Sequence, residues 1–179
     1  MANEKRIGLE FNLGQVCNDV LTNCNLVSKS IRDEAEADIK ADISTPDGEE
    51  TRSLICRAVT EAFGKVKYAC QRYLTTGRIV DDNRLERLVK LYDAEDGETV
   101  YETVRLNLVI ENFNTAVTDW LKSCIHKYVV DYIMFRFLQN LQNEKASEYL
   151  TLAEETDYPN IIKAVHSRER YTRRTPSFF

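Results

Sequence analysis

The chain has 179 residues, of which 43% are hydrophobic and 30% charged, a composition typical of one soluble globular domain. Six glycines and three prolines are too few for a turn-rich all-β architecture, so the composition favours helices. The net charge of −5 argues against a generally basic nucleic-acid-binding protein.

The amino-terminal part of the chain predicts an extended segment followed by an amphipathic helix. Residues 1–11 are expected to be loosely ordered or extended. The first helix is expected to begin near Asn12, because asparagine suits the capping position. Apolar side chains then recur at three- and four-residue steps as far as Ile31. The pattern fades into the acidic segment 33–50, where eight acidic residues face one lysine, and Pro46 marks a break.

The middle of the chain predicts a long helix followed by a β-hairpin. The helix is expected over about 47–74, where apolar residues form a clean stripe. Further on, an Asp-Gly dipeptide typical of tight turns precedes the alternating segment 99–110. We therefore expect a hairpin near 85–110 whose first arm lies at 85–92. The apolar spacing of that first arm also fits a short helix, which stays open as an alternative.

The carboxyl-terminal half of the chain predicts two more helices. The third helix is expected over about 115–143, with Asn114 as its cap and apolar residues on nearly all sides. A fourth helix begins around Glu144, pauses near 157–159 and resumes as far as Val165.

Together these elements predict a mainly α protein. The expected fold is a bundle of about four helices with one β-hairpin and extended termini. We expect a single mainly helical domain over residues 1–167, and an extended basic arm over residues 168–179.

Motifs of catalysis and metal binding are missing from the sequence. His126 and His166 are the only histidines, and neither lies near a patterned cysteine or carboxylate. The five cysteines have no short-spaced pair and are interpreted as buried side chains in a reducing compartment. Neither a nucleophile with a partner base nor a phosphate-binding glycine loop is recognisable. We therefore expect no enzymatic activity, no metal and no cofactor.

Membrane insertion and secretion are not expected either. The longest apolar stretch, 128–138, is interrupted by Asp131 and Arg136 and is much shorter than the ~20 residues of a membrane span. No sustained apolar run follows the first residues, so we expect no signal peptide and a cytoplasmic location.

The aromatic part of the third helix has two interpretations. In the first it is a central core helix, surrounded by its own chain. In the second it contributes to a homo-oligomer interface, since aromatic residues and arginine are enriched there, and Asp131 and Arg136 would then need partners. The candidate interface residues are Tyr128, Tyr132, Phe135, Arg136 and Phe137.

The basic tail has three interpretations. It is a solvated terminus, an arm that lies on a neighbouring copy, or a nucleic-acid contact in which arginines neutralise phosphates and Tyr171 stacks on a base. In the second interpretation the arginines face the acidic segment 33–50, and Phe178 and Phe179 enter an apolar groove. The acidity of the whole chain favours the protein partner over nucleic acid. The candidate residues are Arg168, Arg170, Tyr171, Arg173, Arg174, Phe178 and Phe179.

Several features occur in succession from residue 101 onwards. An alternating strand ends in Asn-Phe-Asn-Thr at 112–115, and the next helix has the centre Ile-His-Lys-Tyr-Val-Val at 125–130. A helix containing alanine and tyrosine then leads to an arginine-rich ending at 168–174. In these features the chain resembles small helical virion proteins, of the head–tail connector or neck type, from tailed phages and prophages of gut Bacteroidales.

The resemblance implies a non-enzymatic structural protein of the virion, a ring-forming component of the head–tail connector or neck. It implies self-association, contacts with portal, tail or neck proteins, and assembly in the cytoplasm of a bacterial host. Residues 1–100 carry no matching motif, and Pro159 departs from the uninterrupted last helix of the family. The alternative is a cytoplasmic helical binding module that contacts nucleic acid through its basic arm.

Overall fold

The computed structural model describes residues 4–31, 37–44, 49–74 and 103–169. The described elements are two strands, six α-helices, a 3₁₀ turn and a π-helical segment. In chain order they are β1 (Glu4–Asn12), α1 (Leu13–Ser30), α2 (Ala37–Ser44), α3 (Glu49–Cys70), β2 (Thr103–Glu111), the 3₁₀ turn (Thr115–Val117), α4 (Thr118–Leu138), α5 (Asn143–Thr151), the π segment (Leu152–Asp157) and α6 (Tyr158–Val165). The predicted mainly α fold is confirmed.

The two strands form an antiparallel pair with a continuous register. Glu4 lies opposite Glu111 and Asn12 lies opposite Thr103. Side chains on the two strands alternate between the core and the exterior, as the two-residue rhythm of β2 predicts. The buried side chains of the pair are Ile7, Leu9, Phe11, Val104, Leu106, Leu108 and Ile110.

The strand that pairs with β2 comes from a distant part of the sequence. The predicted first arm of the hairpin, 85–92, lies outside the described residues. The partner that the structure shows is β1, so the amino-terminal segment expected to be loose or extended is a nine-residue strand. On the other side of β2, the end of the α3 region adds a short contact: Val109 N–H donates to the Tyr73 carbonyl at 2.7 Å, and Leu74 forms a bridge with Leu108.

Helix α4 is the centre of the bundle. It contacts α1, α3, α5, the π segment and α6, and it also meets β1. Twelve of its residues are buried, which agrees with its apolar character on nearly all sides. The core interpretation of the third helix is therefore correct for most of its length.

Helix α2 is an element that the sequence analysis missed. It lies inside the acidic segment 33–50, where the apolar pattern was expected to fade. Ile43 is fully buried, and Ile39, one helical turn earlier, packs against the core. Two isoleucines four residues apart are enough to attach this eight-residue helix to α1, even though its other side is charged.

The pause that was predicted near 157–159 is not a break in the structure. Helix α5 continues through the π segment, Leu152–Asp157, into α6, and Pro159 stands in the first turn of α6. A proline inside a helix has no N–H to donate, and its ring collides with the carbonyl four residues earlier. The wider π turn directly before Pro159 relieves this conflict without ending the helix.

After α6 the chain turns back along the end of β2. Asn114 N–H donates to the Ser167 carbonyl at 3.3 Å, Glu169 N–H donates to the Asn112 carbonyl at 2.9 Å, and Phe113 and Arg168 form an isolated bridge. The first two residues of the predicted arm are therefore attached to the body of the molecule. Residues 170–179 lie outside the described part of the chain.

Candidate functional site: the tyrosine surface

A cluster of tyrosines borders a concavity of about 530 Å³ between α3, α4 and the end of the π segment. Tyr68 on α3 is 68% exposed, the highest value among the large hydrophobic side chains of the described residues. We call this region the tyrosine surface. Its lining residues are Glu61, Gly64, Lys65, Tyr68, Tyr132, Glu154 and Tyr158.

Helical spacing brings these side chains to one place. Glu61, Gly64, Lys65 and Tyr68 recur at three- and four-residue steps on α3, so they share one face. Gly64 has no side chain, which leaves room between the helices at the base of the concavity.

The aromatic rings behind the surface form a connected stack. The ring of Tyr128 lies 6.0 Å from that of Tyr132 and 5.8 Å from that of Tyr158, measured between centroids. Contacts of this length are typical of favourable aromatic pairs. Tyr132 and Tyr158 therefore form an aromatic wall of the concavity, and the buried Tyr128 ring packs against both of them.

Charged groups at the rim pair with one another. Lys65 pairs with Glu154, and its ammonium also lies 4.7 Å from the centre of the Tyr132 ring. Arg136 Nε lies 3.1 Å from Glu61 Oε2, and the Tyr132 hydroxyl donates to the same oxygen at 3.3 Å. The tyrosine surface is therefore apolar at its centre, with acidic and basic groups balanced around it.

The hydroxyls of Tyr128, Tyr132 and Tyr158 have raised pKa values and stay protonated at physiological pH. Burial raises the pKa of Tyr128, and the neighbouring Glu154 carboxylate raises it further. Burial is also the main cause of the raised pKa of Tyr132 and of Tyr158. These side chains can donate hydrogen bonds and offer aromatic faces to a partner, but they do not supply a base near neutral pH.

The candidate interface residues of the third helix divide into two groups. Tyr128 has no exposed surface, and Phe137 is also buried, so both contribute to the core of their own chain. Tyr132 borders the concavity but is also buried, with 7% of its surface exposed, while Phe135 and Arg136 are half-buried. Of the five candidates, Phe135 and Arg136 are therefore the most accessible to a partner.

Sequence reasoning missed Tyr68 and Tyr158. Tyr68 lies off the apolar stripe of α3, and a large aromatic residue away from the buried stripe was the available signal. Tyr158 follows the π segment, whose wider turn changes which residues share a face, so a constant helical period does not place it.

Arg168, the first residue of the candidate arm, faces its own chain. Its guanidinium donates to the Tyr73 hydroxyl at 3.1 Å and to the Val165 carbonyl at 2.8 Å, and it lies 5.6 Å from the centre of the Tyr73 ring. Lys5 of β1 pairs with Glu169. The other candidate residues of the arm lie outside the described part of the chain. They are Arg170, Tyr171, Arg173, Arg174, Phe178 and Phe179.

No protein-family model, curated protein or solved structure matches this chain.

Within the described ranges, no three His, Cys, Asp or Glu side chains converge in a way that suits a metal ion. None of the described helices has both the length and the hydrophobicity needed to cross a bilayer.

Proposed function

We propose that this chain is a non-enzymatic structural protein of a phage virion, a ring-forming head–tail connector, neck or tail component. In this proposal it self-associates and joins portal to tail proteins. The family resemblance of residues 101–179 suggests the assembly, and the tyrosine surface supplies a place for contact between copies or with another virion protein.

The observation that carries the proposal is the exposure of Tyr68 above an aromatic concavity. The described residues leave most of this ring in contact with solvent. Aromatic side chains are enriched in protein interfaces, and exposed apolar patches with a polar rim mark interaction sites. The charges at the rim are already paired, so a partner that covers them does not leave a single charge buried without a counter-charge.

The start of the basic arm lies near the same end of the bundle. Arg168 is held by Tyr73, which follows α3 a short distance beyond Tyr68. The remaining residues, 170–179, would span at most about 33–36 Å if fully extended, enough to reach an adjacent subunit. In this proposal the arm of one copy binds the tyrosine surface of the next copy. The two patches differ, so the contact is heterologous, and repeated heterologous contacts generate a ring when the rotation between copies closes.

The proposal is tested by light scattering during gel filtration of the full chain over a range of concentrations. We expect a discrete multiple of the 20.7 kDa chain mass, either alone or when portal and tail proteins are added. Tyr68→Ala should raise the dissociation constant about tenfold or more, as truncation of an interface aromatic commonly does. Tyr68→Phe keeps the ring and should assemble like the wild type. Leu26→Ala, at an exposed apolar position on α1, is the control for a general surface effect.

Two results would count against this proposal. A protein that stays strictly monomeric at every concentration, even beside its virion partners, would exclude the assembly role. Binding of short duplex DNA at low salt, with a steep salt dependence and loss on deletion of the arm, would favour the nucleic-acid-binding alternative. Because Arg168 is engaged with its own chain, that binding would rely on Arg170, Arg173 and Arg174.

A further inference from the structure

Two buried carboxyl groups, neither of which lines the tyrosine concavity, lie where the end of the π segment packs on α4. Asp131 lies on α4 and is 6% exposed, while Asp157 ends the π segment and is 3% exposed. In each residue the Oδ2 atom is buried and has no hydrogen-bond donor among the described residues. A buried carboxylate oxygen without a donor is costly, so the pair needs a physical explanation.

The positive charge next to the pair is enough for only one carboxylate. Lys127 Nζ lies 3.3 Å from Asp157 Oδ1, and Lys127 precedes Asp131 by one helical turn on α4. Cys124 of α4 and Tyr149 of α5 also lie within reach of the pair, since Asp157 raises the pKa of Cys124 and Asp131 raises that of Tyr149. Neither group is basic, so among the described residues two ionised carboxylates would leave one buried negative charge uncompensated.

We propose that Asp131 and Asp157 form a proton-binding site, in which a protonated Asp131 donates a hydrogen bond to the Asp157 carboxylate. The proton supplies the donor that the buried oxygens otherwise lack. One negative charge then remains on the pair, and the Lys127 ammonium balances it. Carboxyl groups in direct contact commonly share one proton for this reason, since two adjacent negative charges repel each other.

The electrostatics of the site agree with this assignment. Burial raises the pKa of Asp131 to about 7, and the hydrogen bond with Asp157 and the charge of Asp157 act in the same direction. Lys127 acts in the opposite direction. Asp131 is therefore the member of the pair that keeps the proton.

The proposed hydrogen bond between the two aspartates links the last helical segment to α4, the centre of the bundle. Asp157 lies where the π segment meets α6, and both elements pack on α4. When the proton leaves, two negative charges face each other across this contact, which weakens it. Since the pKa of Asp131 is raised above its ordinary value of 3.8, its contribution to stability is complete below about pH 4. The contribution falls as the pH rises and is lost above about pH 7.

Urea unfolding of the full-length protein between about pH 4 and pH 8 tests the proposal. Asp131→Asn keeps a hydrogen-bond donor and has no charge to lose. The folding equilibrium constant of the wild type, divided by that of Asp131→Asn, should fall by up to about tenfold per pH unit from pH 4 to 7 and then level off. Asp119→Asn, at an exposed position of the same helix, should follow the wild type. Parallel curves for the wild type and Asp131→Asn would overturn the proposal.

Infrared spectroscopy of the native wild type provides a second measurement, which holds even if a variant fails to fold. At pH 6 we expect the carbonyl stretch of one protonated carboxylic acid, which disappears as the pH passes 7. The absence of this band in the folded protein at pH 6 would also overturn the proposal. A third experiment adds Mg²⁺ or Ca²⁺ at neutral pH and repeats the urea unfolding. A rise in the urea midpoint of the wild type, but not of Asp131→Asn, would show that the pair binds a cation and would overturn the proposal of a shared proton.

Discussion

At the scale of single residues, Arg168 shows how the body of the molecule and its basic end are connected. The sequence groups this arginine with the arm, because it begins a run of basic residues. In the structure its guanidinium carbon lies 5.6 Å from the centre of the Tyr73 ring, and the group donates to the end of α6. No local pattern indicates this inward direction, since Tyr73 is 95 positions away in the sequence.

Replacement of Arg168 should loosen the start of the arm. Arg168→Ala removes three hydrogen bonds and a ring contact from a half-buried position, with an expected loss of about 1–2 kcal/mol in the free energy of unfolding. Arg168→Lys should recover little of this, because an ammonium lacks the two separate nitrogens with which the guanidinium reaches the Tyr73 hydroxyl and the Val165 carbonyl at the same time. Urea unfolding measures the loss. Hydrogen exchange at the Glu169 amide, which donates to Asn112, should become faster in both variants.

Lys163→Ala is the matched control for Arg168, because Lys163 is an exposed basic residue on α6. Its free energy of unfolding should stay within about 0.5 kcal/mol of the wild type. An Arg168→Ala protein as stable as this control would contradict the anchoring role.

At the scale of elements, Asn12 caps α1 as predicted, while Asn114 caps the 3₁₀ turn that precedes α4 and not α4 itself. Asn12 Oδ1 accepts a hydrogen bond from the Gln15 amide at 3.2 Å, and Asn114 Oδ1 accepts one from the Ala116 amide at 3.1 Å. Capping depends on residues within one turn, so the sequence is sufficient to predict it. Helix α2 was missed because its stability depends on burial of Ile43 against distant residues and not on a local signal.

The Asn12 cap has a measurable contribution to α1. Asn12→Ala should lower the free energy of unfolding by about 1 kcal/mol, because the Gln15 amide loses its acceptor. Asn12→Asp keeps an acceptor oxygen and should remain close to the wild type. Asn18→Ala, at an exposed position inside the same helix, should be neutral or slightly stabilising, since alanine is the better helix former. Thermal unfolding followed by circular dichroism compares the variants, and equal stability of Asn12→Ala and Asn18→Ala would contradict the capping role.

At the scale of the whole molecule, the sheet joins parts of the chain that are far apart in sequence. The strand β1 pairs with β2, and its Phe11 packs edge to face on Phe63 of α3 at 5.5 Å between ring centres. The amino-terminal residues thus complete the core on one side of the bundle. We expect β1, β2 and α3 to unfold together.

Removal of the Phe11 ring should destabilise the whole fold. Phe11 is almost fully buried, so Phe11→Ala is expected to cost about 3–5 kcal/mol of unfolding free energy. The amides of β2 should lose protection against hydrogen exchange together with those of β1 and α3. Arg6→Ala, on the outward face of the same strand, should change stability by no more than about 0.5 kcal/mol. Faster exchange confined to β1 in Phe11→Ala would show that the strand is a separate unit.

The sequence by itself determined the helical class, the apolar faces of α1, α3 and α4, the capping side chains of Asn12 and Asn114, and the alternation of β2, because these depend on neighbours within a few residues. The tertiary structure decided the partner of β2, the inward direction of Arg168 and the exposure of Tyr68. It also brought Asp131 and Asp157 into contact. Each of these depends on which distant residues meet when the apolar faces pack together, and the local periodicity of a chain carries no record of that choice.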